Sequence, residues 1–133
     1  MIDETIIAEA VQARVQASAP YSGFKVGCAL LCATGSVYAG CNIESSSYGL
    51  TMCAERVTLF KALSEGERLF TRMAVVADTR VLTPPCGACR QLLWDYCSDL
   101  EIILANLSGD RLQTTIGALF PVPFGRPFLD GKS

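Results

Sequence analysis

The sequence contains no histidine. Any metal centre or proton shuttle in this chain must therefore be built from sulfur and carboxylate, because the side chain most used for both tasks is missing. Charge is also scarce. Only 18% of the residues are charged, and the 11 basic and 13 acidic residues include no cluster of Lys and Arg. A net charge of −2 and a pI near 5.0 leave no patch able to neutralise a run of phosphates, which argues against a polynucleotide partner. Long apolar runs are lacking too: no segment approaches the ~18 consecutive apolar residues that span a bilayer. The N-terminal Met1-Ile2-Asp3-Glu4 is acidic where a secretory leader is basic, so a cytoplasmic chain with no membrane partner is expected. In that reducing compartment the seven cysteines, an odd number, read as thiols and metal ligands and not as disulfides.

What is abundant is apolar side chain. Half of the 133 residues are hydrophobic, a high share for a chain of 14.3 kDa. One domain over residues 1–133 is expected, with enough chain for a real core and some apolar surface left to bury against other subunits. Neither repeats nor low-complexity linkers divide it.

The periodicity predicts a helix over 3–18, with Ile6, Ile7, Ala10, Val11, Arg14 and Val15 at helical spacing before Pro20. Val26–Cys32 and Ser36–Cys41 read as a hairpin turned at Ala33-Thr34-Gly35. Residues 42–51 read as a loop, Cys53–Ser64 as a helix stopped at Gly66, and Arg72–Ala77 as a strand. A second helix is expected over roughly 86–98. A strand follows at Glu101–Asn106, then a fifth strand near 111–114, a short helix at 115–119 and an irregular tail after Pro121. The order predicts an α/β protein: an α-β-α sandwich with one mixed five-stranded sheet covered by helices on both faces.

Two short motifs carry the chemistry. Cys53-Ala54-Glu55 begins one helix, and Pro85-Cys86-Gly87-Ala88-Cys89 begins the next. Cys86 and Cys89, at i and i+3, turn to one side of a helix opened by prolines. Helix N-termini favour thiolate over thiol, so three low-pKa sulfurs meeting at one point suit a soft dication. Three thiols fill three corners of a tetrahedral zinc site and leave the fourth for water, one zinc per chain. Glu55, two residues after the first ligand, can move protons to and from that water. Three thiolates leave zinc at net −1, and Arg56 stands close enough in sequence to offset that charge by hydrogen bonding to sulfur. A non-catalytic zinc module is the rival from another class, but it normally wants four protein ligands as two Cys-x-x-Cys pairs, and this chain has one. Asn42 and Glu44, at extended spacing, are expected to share a polar face suited to sugar hydroxyls while Ile43 buries.

The chain closely resembles the small homotetrameric cytidine deaminases. The resemblance rests on Ala19-Pro20-Tyr21-Ser22-Gly23-Phe24-Lys25-Val26-Gly27, Gly40-Cys41-Asn42-Ile43-Glu44, Cys53-Ala54-Glu55-Arg56 and Pro85-Cys86-Gly87-Ala88-Cys89-Arg90-Gln91. It implies zinc on Cys53, Cys86 and Cys89, with Glu55 as the acid/base and Arg56 bonded to ligand sulfur. It also implies a nucleoside pocket in which Asn42 and Glu44 hold the ribose 3′-hydroxyl, Phe24 forms the aromatic wall and Ala54 contacts substrate. Tyr48 falls where the family meets the next subunit, although Ser45-Ser46-Ser47 before it departs from the family's usual stretch. Phe124 resembles the residue that enters a neighbour's pocket, with Phe120 and Phe128 as nearby alternatives. The implied reaction is deamination of cytidine and 2′-deoxycytidine in a homotetramer with shared sites. A deaminase of another cytosine nucleoside, such as blasticidin S, is the alternative within the same chemistry.

Overall fold

The computed structural model describes residues 2–129. The elements in chain order are α1 (Ile2–Arg14), β1 (Val26–Cys32), β2 (Val37–Cys41), a 3-10 turn (Tyr48–Leu50), α2 (Ala54–Ser64) and β3 (Phe70–Ala77). They continue with α3 (Gly87–Tyr96), β4 (Glu101–Ala105), β5 (Arg111–Thr115), α4 (Ile116–Leu119) and α5 (Arg126–Leu129). The five strands form one sheet in the order β2-β1-β3-β4-β5. Only β3 and β4 run parallel, with Val76 opposite Ala105; the other pairs are antiparallel.

The sheet is covered on both faces, which explains the unbroken apolar runs of β1 and β3. On one face α1 packs Ile6 and Ala10 against Ala29, Ala74, Val76, Ile103 and Ala105. The approach is close: a Cβ on Gly27 would lie 1.9 Å from the Ala10 carbonyl oxygen, so only glycine fits there. On the other face α2 and α3 bury Leu59, Ala62 and Leu93 against Cys28, Leu30, Met73, Val75, Ile102 and Leu104. Period-2 alternation along β1 thus sends neighbouring residues to opposite layers. Because β3 and β4 are parallel, α3 crosses between them, and its start falls at the carboxyl end of β3.

Three expectations need correction. α1 ends at Arg14 and not at 18, and Val15 is largely exposed. Ser18 is taken up by a bridge to Ile43, with hydrogen bonds from Ser18 N to the Asn42 carbonyl and from Glu44 N to the Ser18 carbonyl, so the chain must leave the helix early. Ile43, expected to bury, is 49% exposed, while Asn42 is the buried member of the segment. The tail is not wholly irregular, since Arg126–Leu129 forms one helical turn in which Pro127 is tolerated near the start.

Candidate active site

Cys53 and Cys86 each occupy the N-cap of a helix, in extended backbone conformation (φ −68°, ψ 154° and φ −67°, ψ 170°). Neither side chain caps its own helix, which leaves both sulfurs free to turn towards a common point. Cys89 sits in the first turn of α3, fully buried. The Cys53 and Cys86 sulfurs are 3.6 Å apart, those of Cys86 and Cys89 3.4 Å, and all three lie within 4.8 Å of one another. Zn–S bonds of ~2.3 Å in a tetrahedron place sulfurs about 3.8 Å apart, so the trio needs little adjustment to take zinc. No disulfide joins them, and all seven cysteines are free. The donor set fits the metal.

Charge supports the same assignment. Hydrogen bonds from Cys89 first, then from Arg56 and Cys86, pull the Cys53 thiol down to about 5. The Cys89 thiol is pushed up, first by its bond to Cys53 and then by burial, and a cation held between the sulfurs would displace its proton. Arg56 Nη2 donates to Cys53 Sγ at 3.5 Å and to the Thr51 carbonyl at 3.2 Å.

A pocket of about 280 Å³ opens onto this centre, lined by Phe24, Asn42, Glu44, Cys53, Ala54, Glu55 and Cys86 among others. Glu55 is 5% exposed, and burial pushes its carboxyl up to about 7, with the Cys53 charge adding to the rise. Asn42 Oδ1 accepts from Val26 N at 2.9 Å and Asn42 Nδ2 donates to the Phe24 carbonyl at 2.7 Å. Glu44 Oε1 accepts from Tyr21 N and Ser22 N at 3.0 and 3.1 Å, and Oε2 accepts from the Ser22 hydroxyl. These bonds, Ser22's chief among them, hold the Glu44 carboxyl below the usual range.

The structure therefore brings Phe24, Asn42, Glu44, Ala54 and Glu55 together with the three sulfurs. It does not bring Tyr48 or Phe124 into the same cavity. Tyr48 lines an adjoining depression with Tyr21, Ser22, Glu44, Ser45 and Thr51, its ring edge-on to Tyr21 at 6.2 Å. Phe124 is stacked on Phe128 at 5.5 Å beside α3, and its carbonyl accepts from Gln91 at 2.9 Å. Both tail rings are exposed, whereas Phe120 is packed against the core. Sequence reasoning missed Val26, Thr51, Thr83 and Pro84, which also line the pocket. For Thr51, Thr83 and Pro84 the available signal was nearness to the cysteine motifs, and for Val26 its place two residues after Phe24.

Comparison with known proteins agrees with this geometry. The family model described as the cytidine and deoxycytidylate deaminase zinc-binding region matches residues 1–104. A cytidine deaminase from Halalkalibacterium halodurans is 53% identical over 122 residues, covering 91% of this chain and 92% of that protein. The crystal structure of cytidine deaminase from Burkholderia pseudomallei superposes with a TM-score of 0.90 at 46% identity, covering 93% of this chain and 100% of that one. A blasticidin-S deaminase from Bacillus cereus is more distant, 32% identical over 110 residues, covering 76% of this chain and 77% of that protein. The chain belongs to the cytidine and deoxycytidylate deaminase family, zinc-binding enzymes with this mixed five-stranded sheet.

Proposed function

We propose that the protein hydrolyses cytidine and 2′-deoxycytidine to uridine and 2′-deoxyuridine, releasing ammonia. The observation that carries this reading is a buried carboxylate, Glu55, lining the same small pocket as a three-sulfur centre. Cys53, Cys86 and Cys89 would hold zinc, which would supply the Lewis acidity that activates water near neutral pH. Glu55 does the proton work. Its carboxylate takes one proton of the water that adds to C4 and delivers it to N3, then moves the remaining proton of the new C4 hydroxyl to the amine, which leaves as ammonia as the C4 carbonyl forms. A carboxyl raised by burial is suited to both giving and taking a proton near pH 7.

Hydrogen-bond accounting supports a nucleoside over a free base. An ionised carboxylate offers about four acceptor sites, and Glu44 has three in use. The Asn42 amide has one of its two N–H groups in use, to the Phe24 carbonyl. What remains is an acceptor on Glu44 Oε2 and a donor on Asn42, the complement of one hydroxyl that both donates and accepts. A ribose 3′-hydroxyl is such a group, with the Phe24 ring as a wall for the nucleoside.

The assembly we propose is a homotetramer with shared sites, in the cytoplasm. Tyr21, Phe24, Ile43, Tyr48, Leu50 and Met52 are exposed apolar residues on segments 21–26 and 42–52, which also carry Val26, Asn42, Glu44 and Thr51 of the pocket. A neighbour covering them would also close the site, with Tyr48 and Phe124 at the contact. Among the described residues no helix is long and apolar enough to cross a membrane. Sedimentation should give about four times 14.3 kDa.

The test of function is ultraviolet absorbance of the purified protein with cytidine, 2′-deoxycytidine and blasticidin S in turn. Turnover of the first two is expected. Turnover of blasticidin S alone would contradict the substrate assignment.

A further inference from the structure

We infer that Arg90 is a positioning residue for the metal loop, bracing the Pro85–Cys86 peptide against the C-terminal part of the fold. It does not line the pocket, and its side-chain hydrogen bonds go to backbone carbonyls and not to a sulfur. Its Nε donates to the Pro85 carbonyl at 2.8 Å, and its Nη1 donates to the Leu119 carbonyl at 2.8 Å.

Both carbonyls lie outside the helical ladders, one in the loop before α3 and one at the end of α4. The first bond of α3 runs from Arg90 N to the Cys86 carbonyl, so the Pro85 carbonyl stands outside the ladder. The last bond of α4 runs from Phe120 N to the Ile116 carbonyl, so Leu119 contributes an end-of-helix acceptor. A planar guanidinium, with donors fixed in a fork, can reach both at once.

The two ends differ in how firmly they are held. α4 is fixed to the core: Ile116 is fully buried, Ile116 N donates to the Leu100 carbonyl, and Thr115 Oγ1 accepts from Ala118 N at 3.1 Å. The segment 78–86 that delivers Cys86 has no helix or strand. Of the three sulfur ligands, Cys89 is buried and Cys53 has Arg56 beside it, whereas Cys86 is exposed. The direction of the Cys86 side chain depends on the plane of the Pro85–Cys86 peptide, and Arg90 holds that plane by its oxygen. Arg90 thus carries the rigidity of α4 to the least supported ligand.

Gln91 provides an internal control. It donates to the Phe124 carbonyl at 2.9 Å and to Asp95 at 3.1 Å, tying the tail to the same helix without touching the loop.

The experiment measures zinc release from the loaded protein into a chromophoric chelator at fixed pH, alongside Tm. Loss of an outer partner of a metal ligand typically costs ~10–100-fold in affinity, and Arg90→Met should speed release by about that factor. Arg90→Lys, which keeps donors but not the fork, should fall between Arg90→Met and wild type. Gln91→Ala should release zinc at the wild-type rate. Release from Arg90→Met at the wild-type rate would overturn the inference, as would equal acceleration in Gln91→Ala. If Arg90→Met does not fold, Arg90→Lys decides, and release as slow as wild type overturns the inference. The inference rests on zinc being held by the three sulfurs. A wild-type protein without zinc would overturn that assignment and this inference together, whereas normal wild-type zinc with unchanged release from the variants overturns only the role of Arg90.

Discussion

Arg56 places Nη2 3.5 Å from the Cys53 sulfur and 3.2 Å from the Thr51 carbonyl, one residue after the buried Glu55. Three thiolates around a dication leave net −1, which weakens its acid strength towards water. A guanidinium donating to one sulfur withdraws part of that charge and fixes the ligand's direction. Arg56 Nε is the one buried side-chain nitrogen or oxygen among the described residues without a partner. An unpaired buried N–H costs about 1–3 kcal/mol, so the side chain is held for its contacts at the sulfur end and not for its own stability.

Arg56→Ala should therefore lower kcat by ~10–100-fold and change KM less, since the arginine tunes the metal and does not line the nucleoside pocket. Steady-state kinetics with cytidine check this. A pure KM effect would place Arg56 at the substrate instead.

Asn42 and Glu44 should separate into two phenotypes. Glu44→Ala should reduce the preference for cytidine over free cytosine, because a pocket built to pair hydroxyls discriminates strongly against analogues that lack them. Asn42→Ala should do the same and also lower stability by about 1–3 kcal/mol, because the buried Val26 N–H loses its partner. Competition assays and urea unfolding are the measurements. Unchanged discrimination in both variants would count against sugar recognition at this pair.

Thiol chemistry tests the assignment of the seven cysteines. Burial pushes the Cys32 thiol up to about 11, the Cys97 thiol up to about 12, and Cys28 well above its ordinary value. The thiolate is the reactive form, so at pH 8 all three stay protonated and slow, and reactivity rises only as pH climbs towards those values. With Cys53, Cys86 and Cys89 on zinc, Cys41 is left as one fast thiol in the native loaded protein. Ellman titration at pH 8 should give one fast equivalent per chain, and seven after unfolding with chelator. Three or more fast equivalents in the loaded protein would contradict either the zinc ligands or the core.

The metal half of the site was legible in the chain because it is local. Pro84-Pro85 before Cys86, and the spacing of Cys86 to Cys89, dictate a helix start with two sulfurs on one side whatever surrounds it. Glu55 follows Cys53 on the same helix, so its place was equally bound to α2. The sugar side depends on contacts across distance. Ile43 was expected inside because a lone apolar residue between polar ones reads as buried, but bridges to Ser18 and Met52 set which side of residues 42–44 faces the pocket. The same bridge removed Ser18 from α1. Ser22 and Arg90 stand in the matched motifs, but their contacts were not legible in the chain, because their partners Glu44 and Leu119 are brought to them only by the fold. The five strands of a mixed sheet followed from alternation and turn signals, whose physics is again local, whereas the order β2-β1-β3-β4-β5 and the parallel β3–β4 pair emerge only in the fold.

The central claim is that Glu55 moves protons beside a zinc held by three cysteines, and Glu55→Gln tests it most directly. Gln keeps the shape and cannot accept the proton, and one general acid/base transfer is typically worth ~10²–10⁴ in rate. The variant should retain about one zinc per chain and lose at least that factor in kcat towards cytidine. A variant that keeps its zinc and a tenth of wild-type kcat would contradict the account.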